Sequence, residues 1–199
     1  MGIPNAVQPL PTATAGPARR RALAALPLAA LALVVLLDAV SDATDPSVPV
    51  LGLLDEPAHL ATAWIFLAAF LPVRARRVLP WALAGSVLID LDHVPLYLWN
   101  ALAAAPGARP VTHSLLTIAV LAVAGAVAGP RSRLGVPLLG LALGVALHLV
   151  RDLGTGPGVP LLWPAGPAKL LVPYAAYLLV LAGVAVTATV RRVVASPTR

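Results

Sequence analysis

Three histidine and aspartate pairs stand at helical spacing in this chain: Asp55 with His59, Asp90 with His93, and His148 with Asp152. Residues three or four apart share one face of a helix. Each pair therefore supplies either two metal ligands or one ligand and the carboxylate that orients it. His113, between Thr112 and Ser114, adds a fourth helix, and Asp92 stands beside His93. Four histidines from four helices, with Asp90 and Asp92 near them, can converge on one or two ions, as facing helices do in carboxylate-bridged bundles. Cysteine is absent, so any ion is held by nitrogen and oxygen. That ligand set suits a divalent transition metal, zinc foremost, with manganese or iron as alternatives. An open coordination position on zinc lowers the pKa of water to about 7 and makes hydrolysis accessible at neutral pH. In such a mechanism Asp92 or Glu56 would serve as general base, and Arg109 or Arg151 would receive a phosphate or a developing oxyanion. Ser114 as a nucleophile is the weaker option, because adjacency in sequence does not aim a hydroxyl at the ring of His113.

Each of these residues also has a plainer reading. Asp55 and Glu56, just before Pro57, could be first-turn charges that cap a helix. His59 could be a hydrogen-bonded interfacial histidine, and Arg151 could pair with Asp152. Asp38, Asp42 and Asp45 read as solvated loop charges beyond the first apolar run. Asp90, Asp92 and His93 resist that treatment, because a charged residue within a membrane span costs about 2.5 to 3.5 kcal/mol. No lysine or arginine lies near them in sequence to offset it.

The elements that position these residues are membrane helices. The chain is 59% hydrophobic and 11% charged, with a mean hydropathy of +0.89, whereas a soluble domain carries about 25% charged residues. The reading is all-α, a polytopic transmembrane bundle of about six spans in a single domain, residues 19–192. Spans are expected at about 22–40, 57–73, 78–99, 111–128, 134–150 and 170–190, flanked by tails at 1–18 and 193–199. A cleaved signal peptide is the rival reading for the first run, but its length exceeds the usual apolar core of such a segment.

Basic residues set the orientation. Arg19, Arg20, Arg21, Arg74, Arg76, Arg77, Arg131, Arg133, Arg191, Arg192 and Arg199 fall on one side, against Arg109, Arg151 and Lys169 on the other. Cytoplasmic loops retain arginine and lysine, so both termini are expected inside and the histidine and aspartate end outside. The net charge of +6 then follows from cytoplasmic anchoring, and nucleic acid is not an expected partner. Membrane lipids and a lipid-linked substrate are; nothing in the sequence marks an oligomeric state.

At these same residues the chain resembles the YdjM-like family of bacterial inner-membrane proteins, described as membrane-bound metal-dependent hydrolases. The resemblance covers roughly residues 55–164. It rests on Glu56 to His59, on Ile89-Asp90-Leu91-Asp92-His93, on Thr112-His113-Ser114-Leu115-Leu116, and on His148 to Asp152 continuing through Thr155 to Gly158-Val159-Pro160-Leu161-Leu162-Trp163-Pro164. It implies metal at His59, Asp90, Asp92, His93, His113, His148 and Asp152, and a place in the bacterial plasma membrane. Relatives often carry histidine before the arginine at position 109; here that residue is Ala108, which bears on the metal set.

Readings of different class follow. The first is a hydrolase whose site opens at the outer membrane boundary, acting on an ester, phosphoester or amide of a lipid or cell-envelope molecule. The second is a proton, ion or metal transporter, or a non-catalytic protein with a structural or degenerate metal site. The near absence of polar groups from the inner halves of the spans weighs against a transport path.

Overall fold

The computed structural model describes residues 16–94, 109–166 and 168–195. Among them are six α-helices: α1 (Pro17–Thr44), α2 (Val48–Phe70), α3 (Leu79–Leu88), α4 (Leu115–Ala128), α5 (Gly135–Asp152) and α6 (Tyr174–Val194). A 3₁₀ turn, Val73–Val78, precedes α3, and a second, Ile89–Asp92, follows it. The all-helical, polytopic reading holds, but six full spans is more than the helices among the described residues provide. Four are long and apolar enough to cross a membrane: Arg21–Thr44, Pro49–Phe70, Gly135–Asp152 and Tyr174–Val194. At 1.5 Å per residue, α3 and α4 extend only about 15 and 21 Å, short of a hydrocarbon core about 30 Å thick.

The shortening has local causes. The chain leaves α-helical geometry where Asp90 and Asp92 stand, and α4 begins only after Ser114, whose backbone is extended. The expected stretch 95–99 of the third span lies outside the described residues. The second helix departs from expectation in the other direction. It starts at Val48, with proline in its first turn, so Pro57 lies inside the helix rather than at its start. It also ends at Phe70, short of the expected Val73: Leu71 is extended before Pro72, since proline disfavours the α conformation in the residue before it. Gly129, at a φ of 96°, ends α4 ahead of Pro130.

Helix α2 lies between two packed groups. On one side it joins α1 and α6 around Val34, Ile65, Ala69, Leu181 and Ala185, and on the other α3 and α5 around Ala63, Leu67, Ala82 and Leu147. Helix α4 packs on α5. Arginines mark one end of this bundle. There Arg191 donates to the carbonyl of Ala69, Arg192 donates to that of Leu23 at 2.9 Å, and its guanidinium lies 4.9 Å from the Trp64 ring centre. The carbonyls at a helix C-terminus need donors, and Arg191 supplies one to α2.

Helices α3 and α5 approach closely. A Cβ on Gly85 would stand 2.6 Å from the carbonyl oxygen of Leu141, and one on Gly144 would lie 2.8 Å from the Cα of Gly85 and meet the carbonyl of Ala82. Gly140 faces Trp81 in the same way. Small residues four apart let helix backbones meet where apolar surface alone gives little drive to associate in lipid. Gly144→Ala should therefore force α5 off α3 and destabilise the bundle by about 1–3 kcal/mol, read as a lower Tm in detergent. Gly183→Ala, with nothing within 4 Å of the new methyl, should leave Tm unchanged or raised.

Candidate metal centre

The glycine crossing sets the first element of the site. It brings the ring of His148, on α5, against the end of α3, where its Nδ1 lies 3.0 Å from the backbone carbonyl of Ser86. A carbonyl only accepts, so Nδ1 carries the proton and donates. The Nε2 lone pair is thereby aimed inward, the tautomer a metal-ligating histidine needs. His148 Nε2 stands 3.0 Å from Asp152 Oδ2 and 3.5 Å from Asp90 Oδ1.

The other ligand candidates arrive from α2, the turn after α3, and the segment before α4. His59 stacks on His148 with ring centres 3.8 Å apart, and its Nε2 is 3.4 Å from both Asp55 Oδ2 and Asp152 Oδ1. His113 reaches Asp90 Oδ1 at 3.0 Å and Asp92 Oδ2 at 3.3 Å, and lies 3.7 Å from Asp152. His93 Nδ1 is 3.2 Å from Asp90 and 2.9 Å from Asp92. Thr112 donates its hydroxyl to Asp92. His59, His113, His148 and Asp152 are fully buried. His59 Nε2, His148 Nε2 and both oxygens of Asp152 nevertheless lack a well-formed hydrogen bond. Buried polar atoms are nearly always satisfied. Buried nitrogen and oxygen atoms that face one another without a hydrogen-bond partner are an arrangement a cation completes, so this donor set fits a divalent ion. Three groups could hold one: Asp90, Asp92, His93 and His113; His59, Asp90 and His148; and His113, His148 and Asp152.

All seven residues read from sequence as metal ligands thus lie in one cluster. Glu56 sits at its edge: its side chain meets Asp90, and its Oε2 is buried without a hydrogen-bond partner. Arg109 also reaches the cluster, with Nη2 2.8 Å from Asp152 Oδ1. The loop after α5 makes room for it. Gly156 has a φ of 70°, and a Cβ there would lie 2.7 Å from Arg109 Nη2, so both the backbone conformation and the space call for glycine. This loop is tied down by backbone bonds from Leu115 to Leu161, from Val172 to Leu153, and both ways between Val159 and Leu170. Ala108 lies outside the described residues.

Arg151 and Asp38 stand differently from their sequence reading. Arg151 is buried and does not pair with Asp152. It bonds Asp55 Oδ1 at 2.7 Å and Asp38 Oδ1 at 2.6 Å, and Tyr174 donates to Asp38 Oδ2 at 2.7 Å. Asp38 is not a loop charge, because α1 continues to Thr44 and turns it inward; Asp42 and Asp45 are exposed, as read. Asp55 links the two networks, with one oxygen on Arg151 and the other near His59. Neither the Ser86 carbonyl nor Tyr174 could be picked out as a partner from sequence, since one is main chain and the other lies 136 residues from Asp38. A signal for Asp38 did exist: an acid just inside an apolar run, with no basic residue near it.

A polytopic helical membrane protein with a buried histidine and aspartate centre at one end of its bundle is the class that fold and site define. The chain belongs to the family of YdjM inner membrane proteins, whose family model matches residues 55–197. The inner membrane protein YdjM of Escherichia coli (strain K12) is 35% identical over 97 residues, covering 44% of this chain and 49% of that protein. The protein of the same name from Shigella flexneri matches to the same extent. The chain thus spans about half the length of the curated relatives it matches. No solved structure matches it. The resemblance read from the motifs is therefore correct, and so is placement in the bacterial inner membrane as a multi-pass protein.

Asp38→Ala should lower stability by about 3 kcal/mol, the scale for breaking a buried ion pair. Tyr174→Phe should cost about 1 kcal/mol, the worth of one hydrogen bond. Thermal unfolding of the purified variants measures both, and equal effects would mean that Asp38 acts through Tyr174 alone.

Proposed function

We propose that this chain is a membrane-embedded metal-dependent hydrolase, acting at the extracytoplasmic membrane boundary on an ester, phosphoester or amide bond of a lipid or cell-envelope molecule. The observation that carries this reading is the set of buried histidine nitrogens and carboxylate oxygens that converge within ligand distance of one another, several of them without a hydrogen-bond partner. His59, Asp90, Asp92, His93, His113, His148 and Asp152 would hold a divalent transition ion, zinc foremost. Such an ion, when bound, supplies Lewis acidity and brings the pKa of water to about 7.

The remaining roles belong to the chain's own groups. Glu56 is outside the three ligand groups yet touches Asp90, so its carboxylate is available to take a proton from water and return it to the leaving group. Asp92, read from sequence as a possible base, is here a member of a ligand group. Arg109, held at Asp152, presents a permanent positive charge to a phosphoryl or developing oxyanion. Arg151 is engaged by Asp38 and Asp55 and acts as a positioning residue for Asp55 and, through it, His59. Lipid head groups supply substrates at this depth, and the arginine-rich opposite end directs the site outward. A transport path would have to cross the arginine-bearing half, where Ile65, Ala69, Leu181, Ala185 and Ala188 pack tightly.

Elemental analysis of the protein in detergent, beside His148→Ala of matched fold, should find transition metal that the variant loses. A wild-type protein that takes up no metal after reconstitution defeats the proposal. Given turnover of a lipid ester or phosphoester, Glu56→Gln should lower it about 10²- to 10⁴-fold with metal content kept; unchanged turnover would remove Glu56 as the base.

A further inference from the structure

The three ligand groups overlap without merging. Asp90 is common to the first and second, His113 to the first and third, and His148 to the second and third. None of them contains His93 together with His59 or Asp152. One tetrahedral ion takes four ligands, and seven side chains gather here. Asp90 Oδ1 is the atom that touches both halves: it lies 3.2 Å from His93, 3.0 Å from His113 and 3.5 Å from His148. Resting on the metal-dependent reading above, we infer that the site is built for two divalent ions that share Asp90. Asp92, His93 and His113 complete one position; His59 and His148 complete the other, with Asp152 beside it, its Oδ1 3.4 Å from His59 and its Oδ2 3.0 Å from His148. His113 is assigned to the first because it is closer to Asp90 and Asp92 than to Asp152.

The orientation of His148 agrees, since its donation to Ser86 aims Nε2 at Asp90 and Asp152 together.

The test uses the full chain in lipid nanodiscs, stripped with chelator and titrated with Mn²⁺ alone. Bound manganese is measured by elemental analysis, and ion coupling by electron paramagnetic resonance. The wild type should bind about two equivalents and give an exchange-coupled spectrum. His59→Asn and His93→Asn should each keep about one equivalent with an isolated-ion spectrum, and Asp90→Asn should lose the coupling. His148→Asn and Asp92→Asn serve as second variants of the two halves, and circular dichroism restricts the comparison to folded protein. Saturation at one equivalent, lost wholly in variants of either half, overturns the two-ion centre and leaves the metal-dependent reading standing. No uptake by the wild type overturns both.

Discussion

Asp152 is fully buried, and neither of its oxygens accepts a well-aligned hydrogen bond. Desolvating an ionised carboxylate is among the most expensive things a fold can do, several kcal/mol even after relaxation. Around Asp152 the bundle gathers nearly every compensating group it has. Arg109 approaches from one side, His59 and His148 from another, and His113 closes a third. Those residues come from different elements, so the carboxylate can be tolerated only when α2, α5 and the segment before α4 are all in place. The polar centre is in this sense a condition on tertiary structure rather than an addition to it.

Helix packing meets that condition through absence of side chains. Gly85, Gly140 and Gly144 strip the α3 and α5 surfaces to backbone, and the resulting approach is close enough for an imidazole on one helix to bond a main-chain carbonyl of the other. The same device recurs in the loop after α5, where Gly156 leaves the volume that the Arg109 guanidinium fills. Glycine is a poor helix former. Its presence at these positions trades intrinsic propensity for the placement of two polar groups, and the exchange is favourable because both groups serve a site that is buried.

Much of this was legible in the chain itself. Apolar runs bounded by arginine gave the helical class and the polarity of the bundle, because hydrocarbon thickness and charge retention act on sequence directly. The spacing of Asp55 and His59, of Asp90 and His93, and of His148 and Asp152 placed each pair on one face, and the fold brings all six together. What failed were inferences about where helices begin and end near polar residues. Hydropathy treats 78–99 and 111–128 as uniform runs, but Asp90, Asp92 and the extended Ser114 interrupt the helical geometry. The pairing of Arg151 was also out of reach. Its nearest acid in sequence is Asp152, the next residue, yet neighbours in a helix point to different sides, and its actual partners lie 96 and 113 residues away.

Helix α1 lies outside the stretch matched by the family model, residues 55–197, yet it supplies Asp38 to Arg151. A fragment cut at that boundary would keep all seven clustered ligand candidates while stripping a buried guanidinium of half its carboxylate partners. The stretch matched by the family model and the set of residues that compensate the buried Arg151 are therefore different in this chain. Modules excised at the limits of sequence similarity would inherit the chemistry without the counter-charge that lets it be buried.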